Sequence, residues 1–278
     1  MKNKDLDTTC NEEINRGEGC QKDENLVTLL WSGGWDGTFR LLQLAENDIQ
    51  IQPIYVIDAE RRSNDNEIEA MHKILKRIKE NKLFKAKILD IVYYKVEWIL
   101  ENCKDSEISE NFRYLREKYK IGAQYEWFSL LCKKLNIKME SAVVHQYHGK
   151  VEDAIIEEGI LAPIENDFLE GRFHVLPKDE IKTAYIVFEN MILPVIKLSK
   201  EDEWHIAEEK GWMDIMELSW FCHSPINGKP CGLCGPCDDA MNTGMEWRMP
   251  KEAKKRYKHR KLYRYINSVK GIVKSMIG

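Results

Sequence analysis

The sequence lacks any run of about 18 apolar residues, so no segment is expected to cross a membrane. Its first 25 residues (MKNKDLDTTCNEEINRGEGCQKDEN) lack an apolar core. That excludes a secretory signal and leaves too little apolar surface to fold alone, so residues 1–25 are expected to form a polar, poorly ordered extension. Two common glycine signatures are also missing. There is no GxxxxGK[ST] with its phosphate-clamping lysine, and no GxGxxG dinucleotide fingerprint. Disulfides are not expected either. Of the eight cysteines, four crowd between positions 222 and 237 with no export signal. A metal in a reducing cytoplasm is the better reading of that pattern. Cys10 and Cys20 fit no usual metal pair and read as free thiols.

What is present describes a globular chain with a full core: 278 residues, 43% apolar and 32% charged. Net charge is −4 but unevenly spread. From Arg248 onward eleven Lys/Arg face Glu252 alone, a local +10, leaving −14 for the rest.

The stretch LVTLLWSGGWDGT, from Leu26 to Thr38, organises the chain. An apolar strand breaks at Ser32-Gly33-Gly34, and a helix over Phe39–Ala45 follows. Two glycines let backbone N–H groups turn inward, and a helix beginning near Gly37 aims unpaired N–H groups and its positive dipole end at the same anion. Ser32 and Thr38 can add hydroxyl donors. Asp36 can hold Mg²⁺ or cap the turn. The pattern matches SGGxD[SGT][ST], the pyrophosphate loop of enzymes that adenylate a substrate. Ser32, Gly33, Gly34, Asp36, Gly37 and Thr38 are the expected ATP contacts.

Further on, Ile49–Asp58 reads as a second strand with an irregular start at Pro53. Asn66–Lys82 carries Ile68, Met71, Ile74, Leu75 and Ile78 on one helical stripe. Lys87–Tyr93 reads as a third strand, Glu97–Tyr119 as one or two helices, and Gly122–Leu135 as an aromatic-rich helix in which Cys132 is a packed thiol. Ser141–Gln146 and Met191–Lys197 read as strands. Residues 151–190 give no clear pattern. His145 and His148, near the end of the 141–146 strand, are candidates for a ligand contact, with a satisfied or exposed histidine the commoner alternative. Ser199 and Asp202 form a capping-box-like start for a helix that stops at Gly211. Strand–helix alternation predicts an α/β, Rossmann-like parallel sheet whose ligand lies beyond the strands' carboxyl ends. Val56, Ile57 and Asp58 end the second strand on that edge. Arg61 and Arg62, on the same edge, could steady a phosphate or a substrate carboxylate, or be an exposed charged loop.

Cys222, Cys231, Cys234 and Cys237 form two CxxC turns sharing Cys234, closed by a thiol nine residues upstream. Four thiolates suit a closed tetrahedral Zn²⁺ knot with a structural role; an iron–sulfur cluster is the competing occupant. His223 could substitute as a ligand but is not needed.

Together, the loop Ser32–Thr38 and the array Cys222…Cys231-Gly232-Leu233-Cys234-Gly235-Pro236-Cys237 resemble the 7-cyano-7-deazaguanine synthase family of the PP-loop ATP pyrophosphatases. Pro194–Asp202 resembles that family's segment with a phosphate-binding lysine at Lys200. The resemblance covers about Leu26 to Asn242. It departs where the family's tyrosine–glycine–glutamine–arginine–histidine run becomes Ala59–Ser63, and where an arginine–asparagine pair becomes Gln124-Tyr125. The resemblance implies the adenine nucleotide alpha-hydrolase (HUP-type) fold and a cytoplasmic homo-oligomer using ATP, Mg²⁺ and Zn²⁺. It implies a ligase that adenylates a deazaguanine-type carboxylate and couples it to ammonia as amide or nitrile, with Asp36 and Lys200 in the catalytic roles and Val56, Ile57 and Asp58 beside the adenine.

The expected units are the extension, an ATP-binding domain over 26–215, the four-cysteine zinc segment over 216–245 and a basic helical tail over 246–278. The tail interleaves cations with Tyr257, Tyr263 and Tyr265. It could bind nucleic acid or an acidic protein, or fold back on the acidic body. Two further readings therefore stand beside the small-molecule ligase. One is an offshoot acting on a tRNA or protein, for instance in phage defence. The other is a nucleotide-binding module without turnover.

Overall fold

The computed structural model describes residues 25–145, 150–165 and 167–263. Residues 1–24 of the extension, with Cys10 and Cys20, and also His148, Arg264, Tyr265, Lys270 and Lys274, lie outside the described residues. In chain order the elements are β1 Leu26–Leu30, α1 Trp35–Ala45, β2 Gln50–Ile57, α2 Asn64–Glu80, β3 Lys87–Ile88, β4 Val92–Lys95, α3 Val96–Asn102, α4 Ser106–Tyr119 and α5 Gln124–Leu135. Next come β5 Met139–Ser141, α6 Lys150–Glu158, β6 Ile160–Pro163, β7 Phe173–Leu176, α7 Thr183–Phe188 and β8 Met191–Ile192. The chain then runs through α8 Lys200–Glu209, α9 Met213–Met216, α10 Gly235–Asn242, a 3₁₀ turn at Glu246–Arg248, and α11 Lys251–Lys258.

The main sheet is parallel throughout, in the order β3–β2–β1–β5–β8 with β4 continuing β3's place beside β2. This is the α/β parallel-sheet fold expected from the sequence. Both faces are covered, as parallel sheets require. Val27, Leu29, Ile51 and Tyr55 pack on one face with α1, α2 and α9. Leu30, Ile54 and Met139 pack on the other with α3 and α5. A third cluster joins α4 to α6, α7 and the antiparallel pair β6–β7, the last three in the region where the sequence gives no clear pattern.

Four expectations shift. The helix after the loop begins at Trp35, not Phe39, because Gly34 takes an extended backbone (φ −75°, ψ 169°) and its carbonyl accepts the first helical bond from Thr38 N at 2.9 Å. Asp36 and Gly37 therefore lie in α1's first turn. The Lys87–Tyr93 strand is broken into β3 and β4 opposite Gln52-Pro53. Pro53 sits inside β2 and has no N–H to give the ladder. The Gln52 side chain instead donates to Asp90 O at 2.7 Å. The strand placed at Ser141–Gln146 is Met139–Ser141, and the Met191–Lys197 strand stops at Ile192, with a turn opening at Pro194.

The misplaced β5 has a physical cause. Its central residue is Glu140, which is 1% exposed. Arg40 from α1 grips it through two bonds of 2.7 and 2.9 Å, and Arg172 Nε lies 2.8 Å away. Arg172 in turn holds Asp167. A carboxylate can be buried in a core strand only when paired this completely, and no local pattern announces partners 100 residues upstream and 32 downstream.

Candidate functional site

Sheet order reverses direction at β1, with β2 on one side and β5 on the other, so a crevice opens beyond their carboxyl ends. The SGG loop fills the floor of that crevice. Gly33 has φ +69°, and a Cβ there would lie 2.9 Å from Met71 Cγ and 3.0 Å from Glu67 O, so only glycine lets the loop lie against α2. Its carbonyl accepts from Trp220 N at 2.8 Å, which ties the loop to the chain entering the cysteine array.

The crevice has two adjoining lobes that share Ser32, Gly34, Trp35, Asp36, Arg61 and His223. The larger, about 320 Å³, runs between the β1 and β2 ends (Leu30, Val56, Asp58), the start of α5 (Gln124, Tyr125, Phe128) and the residues after β5 (Ala142, Val143). The smaller, about 220 Å³, lies toward Lys200, Trp220, Phe221, Asp239 and Arg248.

These lobes sort the sequence candidates. Ser32, Gly34, Asp36 and Gly37 line the cavity, as do Val56 and Asp58. Ile57 does not; it packs toward the α1–α2 core. Thr38 is fully buried and its Oγ1 accepts from Trp31 Nε1 at 3.2 Å, so the hydroxyl expected to donate to a ligand is a core contact. Gly33 serves by its backbone shape. Arg61 lines both lobes, with Nη1 3.5 Å from Glu67 Oε1, whereas Arg62 is exposed and lines neither. The arginine pair is thus split. His145 binds Glu152 at 2.7 Å away from these lobes, and Cys132 is a buried core thiol pushed up to about 12 by burial. His223 is held below the ordinary histidine range by desolvation and by Arg61, hence neutral at pH 7.

Lys200, distant in sequence, comes to the loop at the head of α8. Its start is fixed by a complete capping box: Asp202 N donates to Ser199 Oγ (3.1 Å) and Ser199 N to Asp202 Oδ2 (2.8 Å). The Lys200 ammonium pairs with Asp36. Burial alone would push Lys200 down, but the Asp36 and Glu203 carboxylates outweigh it and hold it above the ordinary lysine range.

Glu203, which the sequence reading passed over, is fully buried beneath this pair, and among the described residues neither carboxylate oxygen has a hydrogen-bond partner. Burial, then the neighbouring Asp36, raises its pKa well above the ordinary value. A raised carboxyl pKa in the fold means that stability is full below the unfolded value of about 4.3 and is lost as pH climbs through the folded value. Without divalent cations, Glu203→Gln should match wild type at pH 4 and melt higher at pH 8, by about 1–2 kcal/mol or roughly 3–6 °C. Thermal melts across that range check this; a pH-independent difference would place Glu203 in an ordinary carboxylate environment.

The four cysteines lie in the segment that brings His223, Pro236 and Asp239 to the smaller lobe. Their sulfurs lie within 4.8 Å of one another, with Cys231–Cys237 at 3.9 Å and Cys234–Cys222 at 3.8 Å. Backbone amides of Cys231, Gly232, Leu233 and Cys234 donate to sulfurs at 3.1–3.4 Å, the environment of thiolates. Hydrogen bonds from Cys222 draw Cys231 down strongly and Cys234 to about 6, while Cys222 and Cys237 are pushed up. Without a cation only some of the four can ionise; with one, all can. Gly232 (φ +75°) admits α11, since a Cβ there would meet Ala253 O at 2.2 Å. Cys222, Cys231 and Cys237 belong to the same core cluster as Leu29 and Phe39, so the expected 216–245 segment has no core of its own.

The basic tail docks here too. Arg256 donates to Cys231 O (2.7 Å) and Pro230 O (3.1 Å), and Arg260 to Asp238 (2.7 Å). Lys251, Lys255, Lys258 and Lys261 stay exposed. Among the described residues no helix is long and apolar enough to cross a membrane.

No protein-family model matches the chain, and no curated protein matches it. Among solved structures it is similar to the U34-tRNA thiolase NcsA from Methanococcus maripaludis with its [4Fe-4S] cluster, at 14% identity and TM-score 0.39, over 90% of this chain and 75% of that one.

Proposed function

We propose that this chain is an ATP-dependent carbon–nitrogen ligase of the PP-loop type, acting on a 7-deazaguanine-type carboxylate with ammonia. The observation that carries the reading is the meeting of the SGG loop, the Lys200–Asp36 pair and a second lobe at the sheet's switch point. In this reading ATP takes the larger lobe. Its adenine lies beside Val56 and Asp58, and its phosphates lie against Ser32, Gly34 and the α1 N-terminus. Those amides and Lys200 stabilise charge growing on departing pyrophosphate. Mg²⁺ supplies charge neutralisation for the polyphosphate when bound, and Asp36 is the carboxylate that would hold it.

The acceptor carboxylate oxygen bonds to the α-phosphorus as the bond to pyrophosphate breaks. Ammonia then attacks the acyl carbon and AMP leaves with the electron pair, giving an amide; dehydration to a nitrile uses further ATP. The fold's part is to hold carboxylate and α-phosphate in line. The cysteine array would hold one Zn²⁺ as a closed structural site. A tetrahedron with bonds of about 2.3 Å has sulfur–sulfur edges of about 3.8 Å, against the observed 3.8 and 3.9 Å.

Incubation with Mg·ATP, ammonium and 7-carboxy-7-deazaguanine, followed by mass spectrometry, is expected to yield amide or nitrile with AMP and pyrophosphate. An unchanged base would retire the deazaguanine acceptor. The exposed lysine face of α11 favours one second reading, a tRNA acceptor docked through the tail; it requires retention on RNA that falls steeply with salt.

A further inference from the structure

Arg248 has an unusual setting for a guanidinium. It comes from the 3₁₀ turn before α11 and lies over two aromatic rings, its Cζ 5.2 Å from the Trp35 ring centroid and 4.9 Å from that of Phe221. One end is anchored: Nη2 donates to Ser219 O (2.5 Å) and Ser219 Oγ (2.9 Å). Among the described residues it forms no ion pair with any carboxylate, although it lines the smaller lobe. Burial holds it at about 10, still cationic at neutral pH. A largely desolvated cation over two rings, with no ion pair among the described residues, is prepared for an anion from outside.

The lobe's other features narrow that anion. Its volume of about 220 Å³ is below the usual range for drug-sized ligands and suits one ring system better than a nucleotide. Trp220 and Phe221 are near-parallel, 6.4 Å apart at 29°, and present flat apolar surface. Of the lobe's carboxylates, Asp36 is paired with Lys200 and Glu67 with Arg61, which leaves Asp239 to accept N–H donors from a heterocycle edge. Trp35 opens α1, so an anion on Arg248 sits beside the phosphate loop.

We propose that the smaller lobe is the acceptor subsite, taking a planar heteroaromatic carboxylate whose carboxylate is held by Arg248 and whose N–H edge is read by Asp239. This rests on the ligase reading and specifies its acceptor site. Trp35 and Phe221 fix the guanidinium plane, Ser219 fixes its depth, and the bound carboxylate is turned toward the nucleotide lobe.

The test is equilibrium binding by calorimetry to the full chain with a non-hydrolysable Mg·ATP analogue present. The probes are 7-carboxy-7-deazaguanine, its 7-cyano counterpart and indole-3-carboxylate. Arg248→Met is expected to weaken the deazaguanine carboxylate by about 10- to 100-fold, with the cyano compound and the ATP analogue changed less than about threefold. Asp239→Asn, which leaves the Ser219 anchor intact, should weaken the deazaguanine carboxylate but not indole-3-carboxylate. If indole-3-carboxylate binds with the same dependence on Arg248 and the deazaguanine does not, the subsite stands and the deazaguanine acceptor falls. Equal weakening of the ATP analogue in Arg248→Met would assign the guanidinium to the phosphates and overturn the proposal. So would binding of neither carboxylate to wild type, or unchanged carboxylate binding in both variants.

Discussion

Asp36→Ala is expected to lower acceptor-dependent pyrophosphate release by about a thousandfold or more, the scale of losing one preorganised electrostatic group at a transition state. The argument starts from position. Asp36 stands in the first turn of α1, faces both lobes of the cavity and is paired with Lys200. Removing it takes away the carboxylate nearest the expected polyphosphate and releases the ammonium that the pair positions. Stability should move much less than activity. Lys200 keeps Glu203 as a charged neighbour, and Glu203 loses the like charge that helps to raise its pKa. The measurement is pyrophosphate release alongside a thermal melt and bound-metal content. Retained melting temperature and metal with lost turnover is the expected result. Full turnover in Asp36→Ala would remove the loop from the chemistry, and a collapsed melt would make its role structural.

The parts of the fold that a sequence shows are those fixed by near neighbours. The glycine loop, the α2 stripe with Met71, Ile74 and Ile78 buried, and the Ser199–Asp202 cap are each written within a few residues. The cysteine cluster is legible for the same reason. What could not be read is set by distant partners. β5 is three residues long and centred on a glutamate made neutral to the core by Arg40 and Arg172. β3 and β4 are separated by a proline on another strand. The two arginines at 61 and 62 look equivalent in sequence, yet the chain turns one inward and leaves the other in solvent. Thr38 belongs to the loop's pattern, but Trp31 claims its hydroxyl. Glu203 and Arg248 carry no motif; among the described residues one is a buried carboxylate without a hydrogen bond and the other a largely buried guanidinium without an ion pair, which only the folded chain displays. The tail was readable as basic, but not that Arg256 and Arg260 spend their charge on the cysteine segment.

Cys234→Ser, or removal of the metal by a chelator, is expected to produce the largest loss of stability in this chain: about 3–5 kcal/mol, seen as a fall of roughly 10–15 °C in melting temperature. The size follows from where the array sits. Cys222, Cys231 and Cys237 are packed into the same core as Leu29 and Phe39, so an unbalanced set of thiols there disturbs the sheet's main hydrophobic layer as well as a surface knuckle. Two tethers carry the disturbance further. Arg256 binds the carbonyl of Cys231, so α11 loses its seat. Trp220, two residues before Cys222, holds the Gly33 carbonyl, so the glycine loop loses its brace. Turnover should therefore fall with the metal even though a closed four-thiolate site leaves no position for a reacting group. Metal analysis should give one zinc per chain in wild type and none in the variant, and cobalt substitution should give the spectrum of a tetrahedral thiolate site. Iron with acid-labile sulfide would replace the single ion by a cluster. An unchanged melt in a metal-free Cys234→Ser protein would mean that the thiols pack well enough without any ion, and that the brace on Gly33 stands by itself.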